Sequence, residues 1–214
     1  MPTRLVLIRH GEATAFTERL VRSHDCTGLT SRGREQASAL RERLARTREL
    51  SEVSVFCASV MRRAVETAEL IAPAIGDGDL TVETDCGFCE MHQGEGDGLT
   101  WEEFEARYGG FDRYVERARA AAPGGESFDD LVARAGGALR KVVERNEGSA
   151  TVVVCHGGTV GAALEELVGV PFGEVTRYVD NTSITELVQD DHGRWWVARL
   201  NDAAHLLSND GSRI

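Results

Sequence analysis

Two short apolar runs in this sequence end in the same way, with a histidine followed by glycine. Residues 3–8 (Thr-Arg-Leu-Val-Leu-Ile) lead into Arg9-His10-Gly11, and residues 151–155 (Thr-Val-Val-Val-Cys) lead into His156-Gly157-Gly158. Runs of β-branched residues and leucine that stop at such a boundary predict buried strands. In an open α/β sheet, sites form just beyond the carboxyl ends of the strands. The repeated pattern therefore predicts that both histidines lie at one edge of a sheet.

The rest of the chain alternates further strands with helices. We expect strands at 53–57, 80–82, 182–188 and 194–200, and helices at 31–48, 60–72, 99–108, 111–121, 127–146 and 159–168. Thr30 or Ser31 would cap the first helix, and Ser127, with Asp130 three residues later, would cap the fifth. This alternation predicts an α/β fold, a three-layer α/β/α sandwich with a mostly parallel central sheet. We expect a single domain over residues 1–214, with a small helical cap inserted at roughly 85–125.

The net charge argues against polyanionic partners such as nucleic acids and anionic membrane surfaces. The chain has 214 residues, 24 Lys and Arg against 35 Asp and Glu, and a formal net charge of −11. This acidic surplus argues against nucleic acid and against polybasic attachment to membranes, and by itself it predicts a poor receptor for small anions. No run approaches the roughly 18–20 apolar residues of a membrane span. Five cysteines, an odd number, require no disulfide framework, so we expect a cytoplasmic protein.

A third polar segment follows the strand expected at 53–57. It places Arg62 and Arg63 at the start of a helix, again near a carboxyl end. Two histidines and at least two arginines at one edge would form a pocket for a phosphoryl group, in which the arginines bind oxygens and an imidazole attacks phosphorus. The neutral imidazole needed for attack is available near pH 7. The leaving oxygen also needs a proton donor, for which Glu90 and Asp97 are the candidates.

These motifs resemble those of the histidine phosphatase superfamily, the phosphoglycerate mutase-like fold. Arg9-His10-Gly11-Glu12 resembles the family signature, and His156-Gly157-Gly158 resembles its second histidine motif. Residues 28–37 resemble the pattern P-L-T-x-x-G-x-x-Q-A, with Gly28 in place of proline, and residues 59–68 resemble S-x-L-x-R-A-x-x-T-A, with Met61 for leucine. Residues 88–100 resemble L-x-E-x-x-x-G-x-x-E-G-L-T, and residues 181–185 resemble the closing segment. The matches occur in the family's order over nearly the whole chain.

The resemblance implies a phosphohistidine mechanism. His10 would attack phosphorus, and Glu90 would protonate the leaving alcohol and later activate water. The groups that would hold the phosphoryl oxygens are Arg9, Arg63, His156 and the backbone at Gly157. The alignment assigns this role to Arg63 rather than to its neighbour Arg62. Because cationic side chains would stabilise the charge, the resemblance implies no metal or other cofactor, and the partner would be a small phosphorylated substrate.

Three positions depart from the family pattern. Gly96 stands where many relatives have tryptophan, Asp97 where they have glutamate, and Phe16 where asparagine is frequent. These positions border the substrate in relatives. The departures therefore leave the substrate unassigned, but they do not affect the expected chemistry. Sugar phosphates, phosphoglycerates, nucleotides and phosphoproteins all remain open.

Three other functions are compatible with the sequence. A mutase shares the first half-reaction but must shield the phosphoryl group from water, and the short interval from Glu90 to His156 and the short tail favour a phosphatase. A non-catalytic sensor of phosphorylated ligands would keep the same pocket. Cys86, Cys89 and His92 have the spacing of metal ligands, but they have no obvious fourth ligand. We therefore interpret them as loop packing rather than as a metal-binding module.

Several smaller questions stay open at this point. Arg62, His92 and Asp97 are each compatible with a substrate contact or with a solvated surface, and His24 with the rim of the pocket or with the surface. Trp195 and Trp196 alternate along a predicted strand, so one packs inward and the other covers a surface or a dimer contact. The sequence therefore allows a homodimer without requiring it.

Overall fold

Six strands and the helices around them make up the described part of the chain. The structure is a computed structural model, and it describes residues 2–22, 27–109, 111–112, 114–174 and 179–207. The side chains of residues 16 and 17 are not described. The strands are β1 (Arg4–Arg9), β2 (Val53–Ala58), β3 (Glu83–Thr84), β4 (Ala150–Cys155), β5 (Ile184–Gln189) and β6 (Trp195–Asp202). The α-helices are α1 (Thr14–Thr17), α2 (Ser31–Thr47), α3 (Arg62–Ile71), α4 (Trp101–Tyr108), α5 (Phe128–Leu131), α6 (Gly137–Arg145) and α7 (Gly157–Ala163). A π-helical segment, Val132–Gly136, joins α5 to α6, and another, Leu164–Val168, continues α7. Short 3₁₀ turns lie at Ala72–Ala74, Cys86–Phe88, Gly94–Gly96 and Ala204–Leu206.

The sheet is mixed, with the strand order β3-β2-β4-β1-β5-β6. Strands β3, β2, β4 and β1 run parallel, whereas β5 pairs antiparallel with β1 and β6 pairs antiparallel with β5. The predicted α/β sandwich is thus confirmed. The two histidine-bearing strands, β1 and β4, are direct neighbours, with Arg9 opposite Cys155. The His10 amide donates to the Cys155 carbonyl at 3.0 Å, so the two segments that follow β1 and β4 leave the sheet side by side.

Helices cover both faces of the sheet because successive strand residues point to opposite faces. One face of β1 and β4 packs with α2 and α3, through Val6, Ile8, Val152, Val154, Leu40, Leu44, Ala64 and Ala68. The other face packs with α6 and α7, through Leu5, Leu7, Val153, Leu139, Val143, Val160 and Ala163. All six residues of β4 are buried, as expected of a parallel strand covered on both sides. Among the described residues, no helix is long and apolar enough to cross a membrane.

A third buried cluster, the cap cluster, joins the segment after Glu90 to α5 and the helix that continues it. Its members include Val21, Met91, Phe104, Ala121, Ala122, Leu131, Ala135 and Phe172. The helix predicted at 111–121 is wrong, because the described residues there form isolated turns. Val115 is 78% exposed, and the Ala121 amide donates to the Glu126 carbonyl at 3.3 Å as the chain reverses. Without a packed apolar face, a helix of this length is not stable.

Two predicted helix starts are confirmed. The Thr30 hydroxyl accepts a hydrogen bond from the Gly33 amide at 2.9 Å and caps α2. The Ser127 hydroxyl accepts from the Asp130 amide at 3.1 Å, while the Asp130 carboxylate accepts from the Ser127 amide at 3.0 Å. This reciprocal pair is the capping box that the sequence indicated.

The strand predicted at 80–82 lies further along the chain, at Glu83–Thr84. Only these residues pair with β2 in the structure, opposite Cys57 and Ala58. Leu80 and Val82 instead pack against the buried cluster under α2 and α3. Their apolar character reflects this packing and not membership of the sheet.

Two glycines bring the loop that follows β1 into close contact with α2. A Cβ atom on Gly33 would overlap the Glu12 carbonyl oxygen, and one on Gly11 would overlap the Gly33 carbonyl oxygen. The Gly11 amide also donates to the Thr67 hydroxyl of α3 at 3.1 Å. The position of the His10 loop is therefore fixed by backbone contacts that leave no room for a side chain.

We expect Gly33→Ala to lower the free energy of unfolding by about 1–3 kcal/mol, because the loop and α2 must move apart. The matched control is Gly137→Ala, since a Cβ atom at this helical position would meet nothing within 4 Å. That variant should be neutral or more stable by about 0.4–1 kcal/mol. Urea denaturation of the two variants measures the difference, and equal effects would contradict the close contact at Gly33.

Candidate active site

His10 and His156 lie together at the carboxyl edge of the sheet. Each follows the last residue of its strand, and because β1 and β4 are neighbours, the two imidazole centroids are only 5.0 Å apart. The planes of the rings are inclined at 61°. His10 is 7% exposed and His156 is completely buried. The structure thus brings the two predicted histidines to one place.

Arg63, in the first turn of α3, joins the two rings. Its Nε donates to His10 Nε2 at 3.1 Å and to His156 Nδ1 at 3.3 Å. The side chain is buried, at 5% exposure. The adjacent Arg62 points away and pairs with Glu66 on the surface at 2.8 Å. Of the two arginines, Arg63 is therefore the one that belongs to the site.

These contacts fix the protonation of both rings. The arginine Nε can only donate, so the ring nitrogens that face it, His10 Nε2 and His156 Nδ1, must accept. The proton of neutral His10 then lies on Nδ1, which donates to the Gly11 carbonyl at 2.7 Å. The proton of His156 lies on Nε2, which donates to the Ser59 hydroxyl at 2.9 Å. His10 Nε2 is left with a lone pair directed toward Arg63.

Both imidazoles are neutral near pH 7. Burial lowers the pKa of His10 well below its usual value, and the nearby Arg63 and Arg9 charges lower it further. The pKa of His156 is lowered for the same reasons, first burial and then Arg63. A neutral ring is what both an attacking nitrogen and an acceptor for Arg63 require.

Arg9, the last residue of β1, brings a second guanidinium to the site. One of its terminal nitrogens donates to the Val179 carbonyl, whereas its buried Nε has no hydrogen-bond partner within the described residues. Burial lowers the pKa of Arg9, and the Glu90 carboxylate partly offsets this, but an arginine stays protonated. Arg9 therefore contributes a fixed positive charge.

Glu90 is positioned by backbone amides. Its Oε2 accepts from the Gly158 amide at 3.1 Å, and its Oε1 accepts from the Met91 amide at 3.1 Å. A Cβ atom on Gly158 would overlap the Glu90 carboxylate, so a side chain at this position would displace that carboxylate. The carboxylate is consequently held beside the turn that follows His156.

A cavity of about 520 Å³ opens at this edge of the sheet. Its polar lining includes Arg9, His10, Glu12, Arg22, Arg63, Glu90, Gly157 and Asn181, and its apolar lining includes Leu20, Val21, Met91, Trp101, Tyr114, Phe128, Leu131 and Phe172. His156 is placed behind Arg63 and does not line the cavity. The predicted residues Arg9, His10, Arg63, Glu90 and Gly157 meet there, with charged groups on one part of the wall and an apolar surface on the other.

Three of the residues left open by the sequence do not line this cavity: Arg62, His92 and Asp97. His92 instead lies 3.8 Å from Glu126 and 3.8 Å from the Cys86 sulfur. Its ring belongs to a cluster with Cys86 and Cys89, whose ligand atoms lie within 4.8 Å of one another. His24 lies outside the described residues, so the choice between the rim of the pocket and the surface stays open for it.

Sequence reasoning missed several residues of the site. Asn181 donates from Nδ2 to the His10 carbonyl at 2.9 Å and lines the cavity. Ser59 fixes the proton of His156. Both lie in the segments that resemble family motifs, which was the available signal. Tyr114, Phe128 and Phe172 form aromatic contacts with centroid distances of 5.0 and 4.7 Å, and no pattern in the sequence showed that they would meet.

Comparison with known proteins shows which proteins the chain resembles. The family model for the histidine phosphatase superfamily (branch 1) matches residues 5–203. Phosphoglycerate mutase-like protein 4 of Arabidopsis thaliana is 32% identical over 207 residues, which cover 94% of this chain and 86% of that protein. The probable phosphoglycerate mutase GpmB of Salmonella choleraesuis is 31% identical, over 95% of this chain and 94% of that one. The structure of a mycobacterial glucosyl-3-phosphoglycerate phosphatase has a TM-score of 0.77 and 28% identity, and covers 93% of this chain and 99% of that one.

The lowered pKa values predict an unusual titration. An ordinary histidine becomes protonated near pH 6.5, whereas His10 and His156 should stay neutral well below that pH because burial and Arg63 oppose a second charge. Nitrogen-15 spectra of the imidazoles, recorded from about pH 7.5 to about pH 5.5, measure this directly. The unfolded chain takes up these protons first, so acidification should lower the free energy of unfolding. A midpoint near 6.5 for either ring would contradict the prediction.

Proposed function

We propose that this chain, which belongs to the histidine phosphatase superfamily, is a phosphatase that hydrolyses small phosphomonoesters through a phosphohistidine intermediate on His10. The observation that carries the proposal is the state of the His10 ring. Its Nδ1 proton is held by the Gly11 carbonyl, and its unprotonated Nε2 accepts from Arg63 beside a cavity lined by three arginines and two carboxylates, so that a substrate phosphoryl group has to take the place of this contact. This is the arrangement that nucleophilic attack on phosphorus requires.

In the first half-reaction, His10 Nε2 attacks phosphorus and the bond to the ester oxygen breaks. Glu90 has to enter this step in its protonated form; the leaving oxygen takes that proton, so an alcohol departs, the phosphoryl group stays on the ring and Glu90 is left as a carboxylate. Because Nε2 is unprotonated before the attack, no separate base is needed. The bond from Nδ1 to Gly11 keeps its proton in place and stabilises the positive charge that develops on the ring.

Arg9 and Arg63 would stabilise the charge on the phosphoryl oxygens. The Arg63 Nε that now binds both imidazoles is the donor nearest to the attacking nitrogen. For His156 to donate to a phosphoryl oxygen through Nδ1, this nitrogen must carry a proton. In the structure it instead accepts from Arg63. A bound phosphate dianion favours that protonation, since a nearby negative charge raises the pKa of a histidine. Gly157 lines the cavity, and because it has no side chain its backbone could approach the phosphoryl group closely.

In the second half-reaction, water attacks the phosphorus of the phosphohistidine. Glu90, now a carboxylate, takes the proton of the water, and the bond between phosphorus and Nε2 breaks. Inorganic phosphate leaves, His10 returns to its neutral form, and Glu90 is protonated again. In this scheme the charge on the phosphoryl group is stabilised by groups of the chain itself.

The size of the cavity supports a small substrate. At about 520 Å³ it falls within the roughly 300–1,000 Å³ that is usual for small-molecule sites. Its apolar wall would contact the part of the substrate that leaves as the alcohol. The mycobacterial relative is named for a phosphorylated small molecule, glucosyl-3-phosphoglycerate, which supports the same class.

A mutase is the second candidate, because two relatives carry the name phosphoglycerate mutase or phosphoglycerate mutase-like. The same first half-reaction would serve it, followed by return of the phosphoryl group to a reoriented substrate. Exchange between 2- and 3-phosphoglycerate that exceeds phosphate release, and that depends on the bisphosphate, would favour the mutase. Release of phosphate from a panel of phosphomonoesters without such exchange would favour the phosphatase.

Replacement of His10 tests the nucleophile. We expect His10→Ala to abolish both phosphate release and the acid-labile labelling of the protein by a phosphorylated substrate. The matched control is His192→Ala, an exposed turn residue, which should keep both. Unchanged turnover in His10→Ala would refute the role of His10. A wild-type protein that binds phosphorylated ligands but turns over none of the panel would identify a sensor instead.

Replacement of Glu90 tests the proton donor. General acid catalysis is worth about 10²–10⁴-fold, so Glu90→Gln should slow the release of alkyl phosphates by an amount in this range. An activated ester such as p-nitrophenyl phosphate needs little protonation and should lose much less in the step that forms phosphohistidine. Asp97→Asn is the control, because Asp97 does not line the cavity. Equal losses for both kinds of ester would assign Glu90 a role other than proton donor.

A further inference from the structure

We propose that Cys86, Cys89 and His92 form a binding site for one zinc-class divalent ion, separate from the cavity that contains His10. The candidate ligand atoms, two sulfurs and a ring nitrogen, all lie within 4.8 Å of one another. The Cys86 sulfur and His92 Nε2 are 3.8 Å apart. Tetrahedral zinc, with bonds of about 2.0–2.3 Å, requires ligand atoms roughly 3.5–3.8 Å apart. The cluster extends to separations of up to 4.8 Å, so the side chains have to rotate toward one another to bind the ion.

The Glu126 carboxylate holds the backbone of His92 and lies near its ring. Glu126 Oε1 lies 3.8 Å from His92 Nδ1, and Glu126 Oε2 accepts from the His92 amide at 2.9 Å. Histidines that bind metals almost always give their other ring proton to a carboxylate, a carbonyl or water. With its proton on Nδ1, toward Glu126, the ring presents the Nε2 lone pair to the two sulfurs.

Arg134 binds both the Glu126 carboxylate and the backbone segment that carries the two cysteines. Arg134 donates to the Glu126 carboxylate at 2.6 and 2.8 Å. It also donates to the carbonyls of Cys86, Gly87 and Cys89 at 3.2, 3.1 and 3.1 Å. The backbone that carries both sulfurs and the carboxylate that orients His92 are therefore fixed by the same side chain. The cluster is preorganised rather than an accidental meeting of loop residues.

The ligand set defines the class of ion. Two sulfurs and an imidazole suit zinc far better than magnesium or calcium, which prefer oxygen. On binding, each thiol releases its proton to solvent, and the two thiolates balance the charge of the ion. Cys86 and His92 are partly exposed while Cys89 is buried, so water can complete the fourth position on the open side. This inference does not rest on the proposed phosphatase activity, although Ser59, which accepts from His156, also donates to the Cys89 sulfur at 3.2 Å.

The experiment is a titration of the reduced, metal-stripped full-length protein with Co²⁺, followed by displacement with Zn²⁺. We expect saturation at one equivalent, with the near-ultraviolet absorption that thiolate ligands give to cobalt, and loss of that absorption when zinc is added. His92→Ala should weaken binding at least about tenfold, and Glu126→Gln by about 10–100-fold, the usual effect of losing a carboxylate behind a ligating histidine. Cys86→Ser, at a partly exposed position, should lower the thiolate absorption.

Matched controls separate this site from other metal binding. His192→Ala removes an exposed turn histidine, and Cys57→Ala removes a thiol buried elsewhere in β2, so both should bind as the wild type does. His10→Ala should also retain one equivalent, because the ion does not occupy the phosphoryl pocket. Circular dichroism confirms that each variant is folded. Saturation without thiolate absorption, or equal affinity in the wild type, His92→Ala and Cys86→Ser, would overturn the proposal.

Discussion

One guanidinium nitrogen, shared between two buried imidazoles, is the contact on which the candidate active site depends. Arg63 Nε can donate to His10 and His156 only while both rings are neutral. Burial and the arginine charge keep them neutral by lowering the pKa of each. The same contact dictates which nitrogen of each ring carries the proton, and so leaves His10 Nε2 unprotonated, as the proposed attack on phosphorus requires. A buried charge is tolerated only where such partners exist, so charge, tautomer and burial in this site depend on one another.

The backbone brings these groups together. Strands β1 and β4 are neighbours, so the residues that follow them emerge side by side. Glycine then allows two close approaches, Gly33 against the Glu12 carbonyl and Gly158 against the Glu90 carboxylate. The first fixes the loop after His10, and the second fixes the candidate proton donor. Rigid elements thus position the reacting groups, whereas the segment after Glu90 supplies the variable wall of the cavity.

The distribution of charge resolves the apparent conflict between a formal net charge of −11 and a pocket for phosphate. Much of the acid is paired with arginine away from the site, as where Arg43 and Arg199 contact Glu49, Glu186 and Asp202. The cavity itself is lined by Arg9, Arg22 and Arg63 against the carboxylates of Glu12 and Glu90. Net charge influences long-range approach, but the affinity for one small anion is set by the groups that it touches.

The sequence by itself determined the fold class, the positions of most strands and helices, and which motifs lie at the edge of the sheet. It could do so because apolar periodicity, capping residues and glycines act locally. It did not determine that the described residues within 111–121 would form turns, that β3 would pair only at Glu83–Thr84, or that Asn181 and Phe172 would reach the cavity. Nor did the spacing of Cys86, Cys89 and His92 show that Glu126 and Arg134 would surround them. Only the tertiary structure decided these features, because each is a contact between segments that are distant in the sequence. Which segments meet depends on how the whole chain packs.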